Sequence, residues 1–211
     1  MRIYACADMH SHTERFDTIK SRIHAYRPDV VVAAGDFGTR RDPESAIAEL
    51  NRFPVRVLAV RGNFDPPAAE GIMARYANVS SLNLREIEVG GCAFAGVSGA
   101  FMLPFRTRVR LREGRARQWL LNRVGAETIL VSHPPPRGVR DMVAGRVHAG
   151  SGMIADVVAS RQPRLVICGH IHEAPGIGRL GRTMVVNCAV GRRCSGAVIE
   201  IDGERLDVTM L

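Results

Sequence analysis

Side chains that can bind metal ions recur along the chain directly after short apolar runs. They are aspartate, asparagine and histidine, at positions Asp8, His10, Asp36, Asn63, His133, His170 and His172. Residues two apart in an extended chain point to the same side, so His170 and His172 can approach an ion from one direction. Imidazole and oxygen ligands without a thiolate suit divalent ions such as Mn, Fe, Zn, Ni or Co.

This set of side chains exceeds the needs of one ion. If Asp36 is shared, four protein ligands are available to each of two ions. Two ions about 3.5–4 Å apart can activate a shared, bridging hydroxide for in-line attack on phosphorus. The residues therefore predict a two-metal hydrolase that cleaves a P–O bond, with Asp36, Asn63 and His133 in its catalytic centre.

Short apolar runs, many of them β-branched, precede these residues and predict the strands that position them. The runs cover residues 3–7, 30–34, 55–60, 128–131 and 165–168. Helical spacing of apolar residues, or a proline suited to a first turn, predicts helices over 13–26, 43–50 and 114–124. Because ligands at the carboxyl ends of strands in an open α/β sheet converge on one crevice, we expect one composite site.

The second half of the chain adds hairpin patterns to this α/β order. Residues 87–89 and 92–97 flank two glycines, and residues 197–201 and 205–210 flank Asp202-Gly203, a strong hairpin signal. A further strand is predicted over 184–187. The mixture of parallel and antiparallel pairs predicts an α/β fold of two mixed sheets packed together, with helices outside.

Composition limits the class of protein. The chain has 211 residues, 46% hydrophobic and 24% charged, which suits a single domain over residues 1–211 and excludes disorder. Its 29 basic and 21 acidic residues give a net charge of +8. This charge favours anions without choosing among nucleic acid, anionic lipid and phosphorylated metabolites. Neither the composition nor the net charge predicts the oligomeric state.

The five cysteines are an odd number and are never spaced C-x-x-C, which indicates reduced thiols rather than disulfides or a zinc ribbon. The N-terminal residues do not have the pattern of an export signal. No apolar segment approaches the roughly 20 residues that span a bilayer. We therefore expect a soluble, cytoplasmic protein without a membrane partner.

Five short blocks of sequence contain the metal-ligand candidates. They are Asp8-Met9-His10, Gly35-Asp36, Gly62-Asn63-Phe64-Asp65, Ser132-His133-Pro134-Pro135 and Gly169-His170-Ile171-His172. In this order they resemble the calcineurin-like metallophosphoesterases over almost the whole chain, in particular the small single-domain bacterial and archaeal phosphodiesterases. The resemblance implies a four-layer α-β-β-α sandwich. It also implies two divalent ions, with Mn the first expectation.

The resemblance further implies which residues hold each ion. One ion is expected at Asp8, His10, Asp36 and His172, and the other at Asp36, Asn63, His133 and His170. A departure at Asn187-Cys188-Ala189, where many small relatives have Asn-Pro-Gly, changes a turn near the site and leaves these ligands intact.

A second departure bears on the reaction itself. The family commonly has a histidine where this chain has Phe64, and that histidine acts on the leaving-group oxygen. General acid catalysis contributes about 10²–10⁴-fold, so its loss penalises poorly stabilised leaving groups. Small relatives without this histidine tend to be phosphodiesterases, and we expect the same activity here. Asp65, His12 and His148 are the alternative proton donors.

Two other activities stay open: a phosphomonoesterase with the same site, and a catalytically weak metal-binding scaffold. Contacts to the phosphate-ester substrate are expected from Phe64, which could stack on a base or aryl group, and from Arg137 and His148. Arginines over 106–117, flanked by aromatic residues such as Phe101, Phe105 and Trp119, resemble a single-strand nucleic-acid binding pattern. We favour instead a solvated strand over 106–112 followed by a helix. Nucleic acid stays open as a partner, and a nucleic-acid-processing enzyme as an activity, but neither is favoured.

Overall fold

The computed structural model describes residues 1–99 and 107–211, and for residues 107–112 the backbone alone. Its first sheet has six strands. In spatial order these are β14 (Arg205–Met210), β13 (Ala197–Asp202), β1 (Arg2–Cys6), β2 (Val30–Ala33), β3 (Val57–Ala59) and β4 (Val79–Ser81). The four strands from β1 to β4 are parallel, whereas β13 is antiparallel to β1 and to β14.

The second sheet also has six strands. In spatial order these are β11 (Gly176–Leu180), β12 (Thr183–Asn187), β10 (Leu165–Cys168), β7 (Ile129–Ser132), β6 (Cys92–Val97) and β5 (Arg85–Val89). Its four central strands are parallel, and each edge strand is antiparallel to its neighbour. A small hairpin of β8 (Met142–Val143) and β9 (Val147–His148) follows β7 in the chain.

In the part of the chain that the structure describes, five helices occupy the connections between strands. They are α1 (Thr13–Tyr26), α2 (Pro43–Asn51), α3 (Ala69–Met73), α4 (Thr107–Arg123) and α5 (Gly152–Arg161). The side chain of Asp42 caps α2 by accepting a hydrogen bond from the Ser45 N–H, and Ser151 caps α5 in the same way. None of the described helices is long and apolar enough to cross a membrane.

The helices and sheets form four layers, and buried apolar side chains fill the three spaces between them, each called a core layer below. One core layer packs α1 and α2 on the first sheet, a second lies between the two sheets, and a third packs α4 and α5 on the second sheet. Strand β2 shows why its sequence is apolar throughout: Val31 enters the helix-facing layer, whereas Val30 and Val32 enter the layer between the sheets. This confirms the predicted four-layer α-β-β-α sandwich.

The sequence predicted most of these elements to within two residues, and α1 coincides with the predicted helix over 13–26. The turn at Asp202-Gly203 is confirmed by the pairing of Asp202 with Arg205. The predicted strand over 106–112 is wrong, because α4 begins at Thr107. The positions between these arginines hold Thr107, Val109 and Leu111, which fit a strand, but arginine, Leu111 and Glu113 are also good helix formers, so the alternation alone does not distinguish a strand from a helix. Arg106, Phe101 and Phe105 lie outside the described residues.

Candidate metal centre

The metal-ligand candidates from the first sheet follow three adjacent parallel strands. Asp8 and His10 follow β1, Asp36 follows β2, and Asn63 follows β3. The N–H groups of Asp8 and His10 donate hydrogen bonds to the carbonyls of Gly35 and Asp36 at 2.9 and 2.8 Å, which join the loops after β1 and β2. These loops therefore form one continuous edge at the carboxyl ends of the strands.

The second sheet supplies the remaining candidates from its own adjacent pair of parallel strands. His133 follows β7, and His170 and His172 follow β10. The Gly169 N–H donates to the His133 carbonyl at 2.9 Å, and the His170 N–H donates to Asp8 Oδ2 at 2.8 Å. The second of these bonds brings the two sets of loops into contact, so the site is composite, as predicted.

A first group of side chains gathers around Asp8. Its Oδ1 lies 3.0 Å from His172 Nε2 and 3.9 Å from His10 Nε2. The two imidazole nitrogens lie 3.4 Å from each other. These three ligand atoms are close enough together to hold a metal ion.

A second group gathers around His133, which is completely buried. Its Nε2 lies 3.3 Å from Asp36 Oδ2, 3.0 Å from Asn63 Oδ1 and 3.2 Å from His170 Nδ1. Asp8, Asp36 and His133 form another cluster with spacing suited to an ion. The same Asp36 oxygen lies 4.0 Å from His10 Nε2, so Asp36 lies between the two groups.

The donor set suits divalent cations. Two imidazole pairs bring their nitrogens within 3.4 Å of each other, and carboxylate and amide oxygens lie beside them. One proton can serve only one such pair, whereas a cation is a common partner for every lone pair that points at it. The residues therefore fit a dinuclear metal site.

The backbone at these positions is held in a conformation that non-glycine residues rarely adopt. The φ angles of Asp8, Asp36 and His170 are +64°, +52° and +69°. Such left-handed residues cost on the order of 1–3 kcal/mol each and are concentrated at functional sites, where the surrounding structure enforces them. Here they turn the chain sharply after each strand, so that the side chain points into the crevice.

Two glycines of the five sequence blocks, Gly62 and Gly169, lie where the carboxylate of a metal-ligand candidate leaves no room for a side chain. A Cβ on Gly62 would lie 2.0 Å from Asp36 Oδ1, and one on Gly169 would lie 2.5 Å from Asp8 Oδ2. Any side chain at either position would displace the carboxylate of a metal-ligand candidate.

The protonation of the histidines reflects the same crowding. Burial alone would lower the pKa of His133, but its hydrogen bond to Asp36 and the charges of Asp8 and Asp36 outweigh burial and raise the pKa to about 9. Burial, together with the neighbouring His133, lowers the pKa of His170 to about 4. A proton on His133 thus balances part of the carboxylate charge when no metal is bound, and an entering cation must displace it.

Asp65 lies beneath the candidate ligands and is almost fully buried. Its Oδ2 accepts hydrogen bonds from the N–H groups of Asp36 and Gly62 at 2.7 and 2.9 Å, and its Oδ1 accepts one from Gly38 at 2.9 Å. Burial raises the pKa of this carboxyl. Both oxygens are used to hold the loops after β2 and β3, and this placement speaks against Asp65 as the proton donor.

Phe64 lies at the mouth of the site, with 48% of its surface exposed. Its ring meets the ring of His10 edge-on, with centroids 5.1 Å apart and planes at 88°. His12 is exposed and forms the N-cap position of α1 without a side-chain cap. The described contacts give His12 no place in the ligand groups.

The two substrate-contact candidates of the second half lie in the connection between β7 and α5. Arg137 is exposed, and its N–H donates to the Ser151 carbonyl. His148 is exposed on β9, and its Nδ1 lies 2.7 Å from Oδ1 of the buried Asp141. Asp141 therefore pairs with His148.

Sequence reasoning missed several residues that support the site. Arg15, in the first turn of α1, donates to the backbone carbonyl of Asp8. The Asn187 side chain donates to the carbonyls of Ile171 and Arg140 at 2.9 and 3.3 Å, so the altered turn after β12 still holds the His170–His172 loop. Arg40 lies beside Phe64. Asn187 and Arg40 contact residues that are distant in the sequence, so no local pattern predicts their roles. Arg15 alone lies close in sequence to the residue that it contacts.

Comparison with known proteins supports these observations. A family model described as calcineurin-like phosphoesterase matches residues 1–174. The protein MJ1162 of Methanocaldococcus jannaschii is 30% identical over 169 residues, which cover 75% of this chain and 76% of that one. Human metallophosphoesterase domain-containing protein 1 is 39% identical over 224 aligned positions, covering 90% of this chain and 66% of the human protein, just under two thirds of its length.

The fold is also similar to that of solved structures. A dimetal phosphatase from Danio rerio superposes with a TM-score of 0.69 at 13% identity, covering 100% of this chain and 95% of that chain. The family model, the relatives and the grouped aspartate and histidine side chains agree in indicating a hydrolase of phosphate esters with a dinuclear metal site. The chain therefore belongs to the calcineurin-like phosphoesterase family.

Proposed function

We propose that this protein is a metal-dependent phosphodiesterase whose two ions are held by Asp8, His10, Asp36 and His172, and by Asp36, Asn63, His133 and His170. The observation that carries the proposal is the position of Asp36. Its Oδ2 lies 3.3 Å from His133 Nε2 and 4.0 Å from His10 Nε2, between the two groups of ligands. A carboxylate in this position can be shared by a pair of neighbouring ions.

Two bound divalent ions would activate a water molecule for attack on phosphorus and stabilise the charge that develops on the phosphoryl oxygens. The protein fixes the ligands for this task. His133 Nδ1 lies 2.9 Å from the Ala34 carbonyl, so the ring donates its proton there and presents Nε2 to the site. Asp65 positions the Asp36 backbone through the N–H bond described above.

The preference for diesters rests on Phe64. This ring occupies the position next to Asn63 where a histidine would serve the leaving group, and it can donate no proton. Without a general acid there, hydrolysis depends on leaving groups that depart readily. We take Mn²⁺ as the first ion to test. Arg137 and His148 remain candidate contacts to the phosphate or the leaving group.

The test compares initial rates of hydrolysis of a chromogenic aryl phosphodiester and the corresponding monoester. Metal-stripped protein is assayed before and after addition of Mn²⁺, together with Asp36→Ala and a matched control, Asp17→Ala, on the exposed face of α1. We expect Mn²⁺-dependent cleavage of the diester that is lost in Asp36→Ala and kept in Asp17→Ala.

The alternatives give different results in the same assay. Faster cleavage of the monoester would identify a phosphomonoesterase with the same ligands. Stoichiometric Mn²⁺ without cleavage of either ester, repeated with Zn²⁺, Fe²⁺, Ni²⁺ and Co²⁺, would identify a metal-binding scaffold and overturn the enzymatic proposal.

A further inference from the structure

Phe64 is exposed in a chain that buries its other described phenylalanines. Phe16, Phe37, Phe53 and Phe94 are each exposed by 3% or less, whereas Phe64 is exposed by 48%. Isolated apolar side chains are common on protein surfaces, but this one lies at the mouth of the candidate metal centre. The position of Phe64, rather than its exposure alone, suggests a role in binding the substrate.

The position of Phe64 relative to the site is fixed by its backbone. Its N–H donates a hydrogen bond to Asp36 Oδ1 at 2.7 Å, and its ring contacts the ring of His10. Asp36 and His10 belong to the proposed ligands. The Phe64 ring is therefore held beside the place where the phosphoryl group of a substrate must bind.

Arg40 adds a cationic group next to this ring. Its guanidinium carbon lies over the Phe64 ring, 6.0 Å from the centroid, and Nη2 lies 3.5 Å from the Asn63 carbonyl. Both contacts are long, and Arg40 is exposed, so the guanidinium can move onto an incoming group at little cost. Arginine guanidinium planes stack on aromatic rings and also pair with phosphate oxygens.

We infer that Phe64 and Arg40 form a subsite for a planar aromatic ring carried by the phosphate ester, such as the base of a nucleoside ester. The inference rests on the proposed function, because it assumes that the phosphoryl group binds at the metal centre. The accessible half of Phe64 offers a stacking surface, and Arg40 covers the bound ring from the solvent side. A base stacked on an aromatic side chain gains affinity without hydrogen bonds that read its identity.

The experiment measures binding rather than turnover. Affinities of the Mn²⁺-loaded protein for adenosine 5′-monophosphate and for ribose 5-phosphate are determined by titration calorimetry, with release of inorganic phosphate monitored. The two probes share a phosphate and a sugar and differ in the base. We expect the wild type to bind the adenosine ester at least about 5-fold more tightly, the lower end of the range for one stacked base.

Variants separate stacking from general damage to the site. Phe64→Leu keeps an apolar side chain and should bring the affinity ratio close to one, whereas Phe64→Tyr keeps the ring and should preserve it. Arg40→Ala should lower the ratio, and the neighbouring Arg41→Ala is the matched control that should not. Mn²⁺ stoichiometry is measured for each variant. If Phe64→Leu no longer binds Mn²⁺, the affinity ratio measured for Arg40→Ala decides whether the inference stands.

Each outcome has one meaning. Equal affinity of the wild type for both probes, binding of neither probe, or an unchanged ratio in both Phe64→Leu and Arg40→Ala would overturn the inference. Tight, base-dependent binding without cleavage of any ester would leave this subsite standing and contradict the proposed phosphodiesterase. Cleavage of an ester without base-dependent binding would contradict this subsite and leave the proposed hydrolase standing.

Discussion

The backbone N–H of His170 donates a hydrogen bond to Asp8 Oδ2 at 2.8 Å, while Asp8 Oδ1 lies 3.0 Å from His172 Nε2. Asp8 follows β1 of the first sheet, and both histidines follow β10 of the second. A single buried carboxylate thus joins the loops of the two sheets with one oxygen and faces a candidate metal ligand with the other. Its structural and chemical roles can be separated by substitution.

Asp8→Asn and Asp8→Ala should differ in stability but not in metal binding. Asparagine retains an oxygen that can accept the His170 N–H, whereas alanine removes this hydrogen bond between the two sheets, at a cost of about 1–3 kcal/mol. Neither variant has the negative charge that a cation requires. Urea unfolding in the presence of a chelator should show Asp8→Ala to be the less stable variant, and calorimetry should show weakened Mn²⁺ binding in both. Equal stability of the two variants would contradict the role of the His170 bond.

Mn²⁺ should stabilise the wild-type protein by mass action. The ligands are brought together only in the folded chain, so binding shifts the folding equilibrium by about 2.7 kcal/mol at a free ion concentration 100 times the Kd. The Tm should therefore rise with Mn²⁺ and fall on addition of EDTA. Asp36→Ala should respond much less, because Asp36 lies between both ligand groups. An equal rise in the two proteins would show that Mn²⁺ binds elsewhere.

Asp65→Asn should destabilise the loops after β2 and β3. The two carboxylate oxygens accept three backbone N–H bonds, from Asp36, Gly38 and Gly62, and an amide NH₂ would face at least one of these donors. We expect a loss of about 1–3 kcal/mol in the free energy of unfolding, measured with urea. Asp17→Asn, at an exposed ion pair with Lys20, should change it by less than about 1 kcal/mol. A similar small effect in both variants would remove the positioning role of Asp65.

The contribution of Asp141 should depend on pH. Burial alone would raise the pKa of this carboxyl, but hydrogen bonds from the Gly138 N–H, His148 and the Gly150 N–H outweigh burial and lower it. A carboxyl whose pKa is lower in the folded state stabilises the protein above its unfolded pKa of about 4, and this stabilisation is lost as the pH falls through the folded pKa.

Asp141→Asn should therefore lower the free energy of unfolding by about 1–3 kcal/mol at pH 7, and the difference from the wild type should shrink below about pH 4. Urea unfolding of metal-free protein between pH 7 and pH 3 measures this difference. Asp156→Asn, at an exposed position of α5, should show a small difference that does not vary with pH. A constant difference for Asp141→Asn as well would exclude the carboxylate as its origin.

The strands that position the site could be predicted from the sequence, because buried parallel strands are continuous apolar runs. The run over 30–34 is apolar throughout, since β2 has a packed layer on each face, and it ends where Asp36 begins the loop. The metal-ligand candidates were accessible because aspartate and histidine immediately after such a run rarely serve packing.

Other features depend on contacts that no local pattern reveals. No local pattern predicts that the Asp65 carboxylate accepts backbone N–H groups from residues as far away as Asp36. Asp141 pairs with His148 rather than with the nearer Arg137, because the β8–β9 hairpin folds His148 back onto it. The arginines before Glu113 alternate as in a strand, yet they lie in the helix α4.

The division of the candidate ligands between two sheets has a consequence for how the protein is made. His172 is among the last of the ligands to be synthesised, and β13, which pairs with the Asp8-bearing strand β1, begins only at Ala197. A nascent chain therefore carries Asp8, His10 and Asp36 for most of its synthesis without their partners from the second sheet. Acquisition of metal is therefore expected only after synthesis has passed His172 and β13, long after Asp8 and His10 have been made.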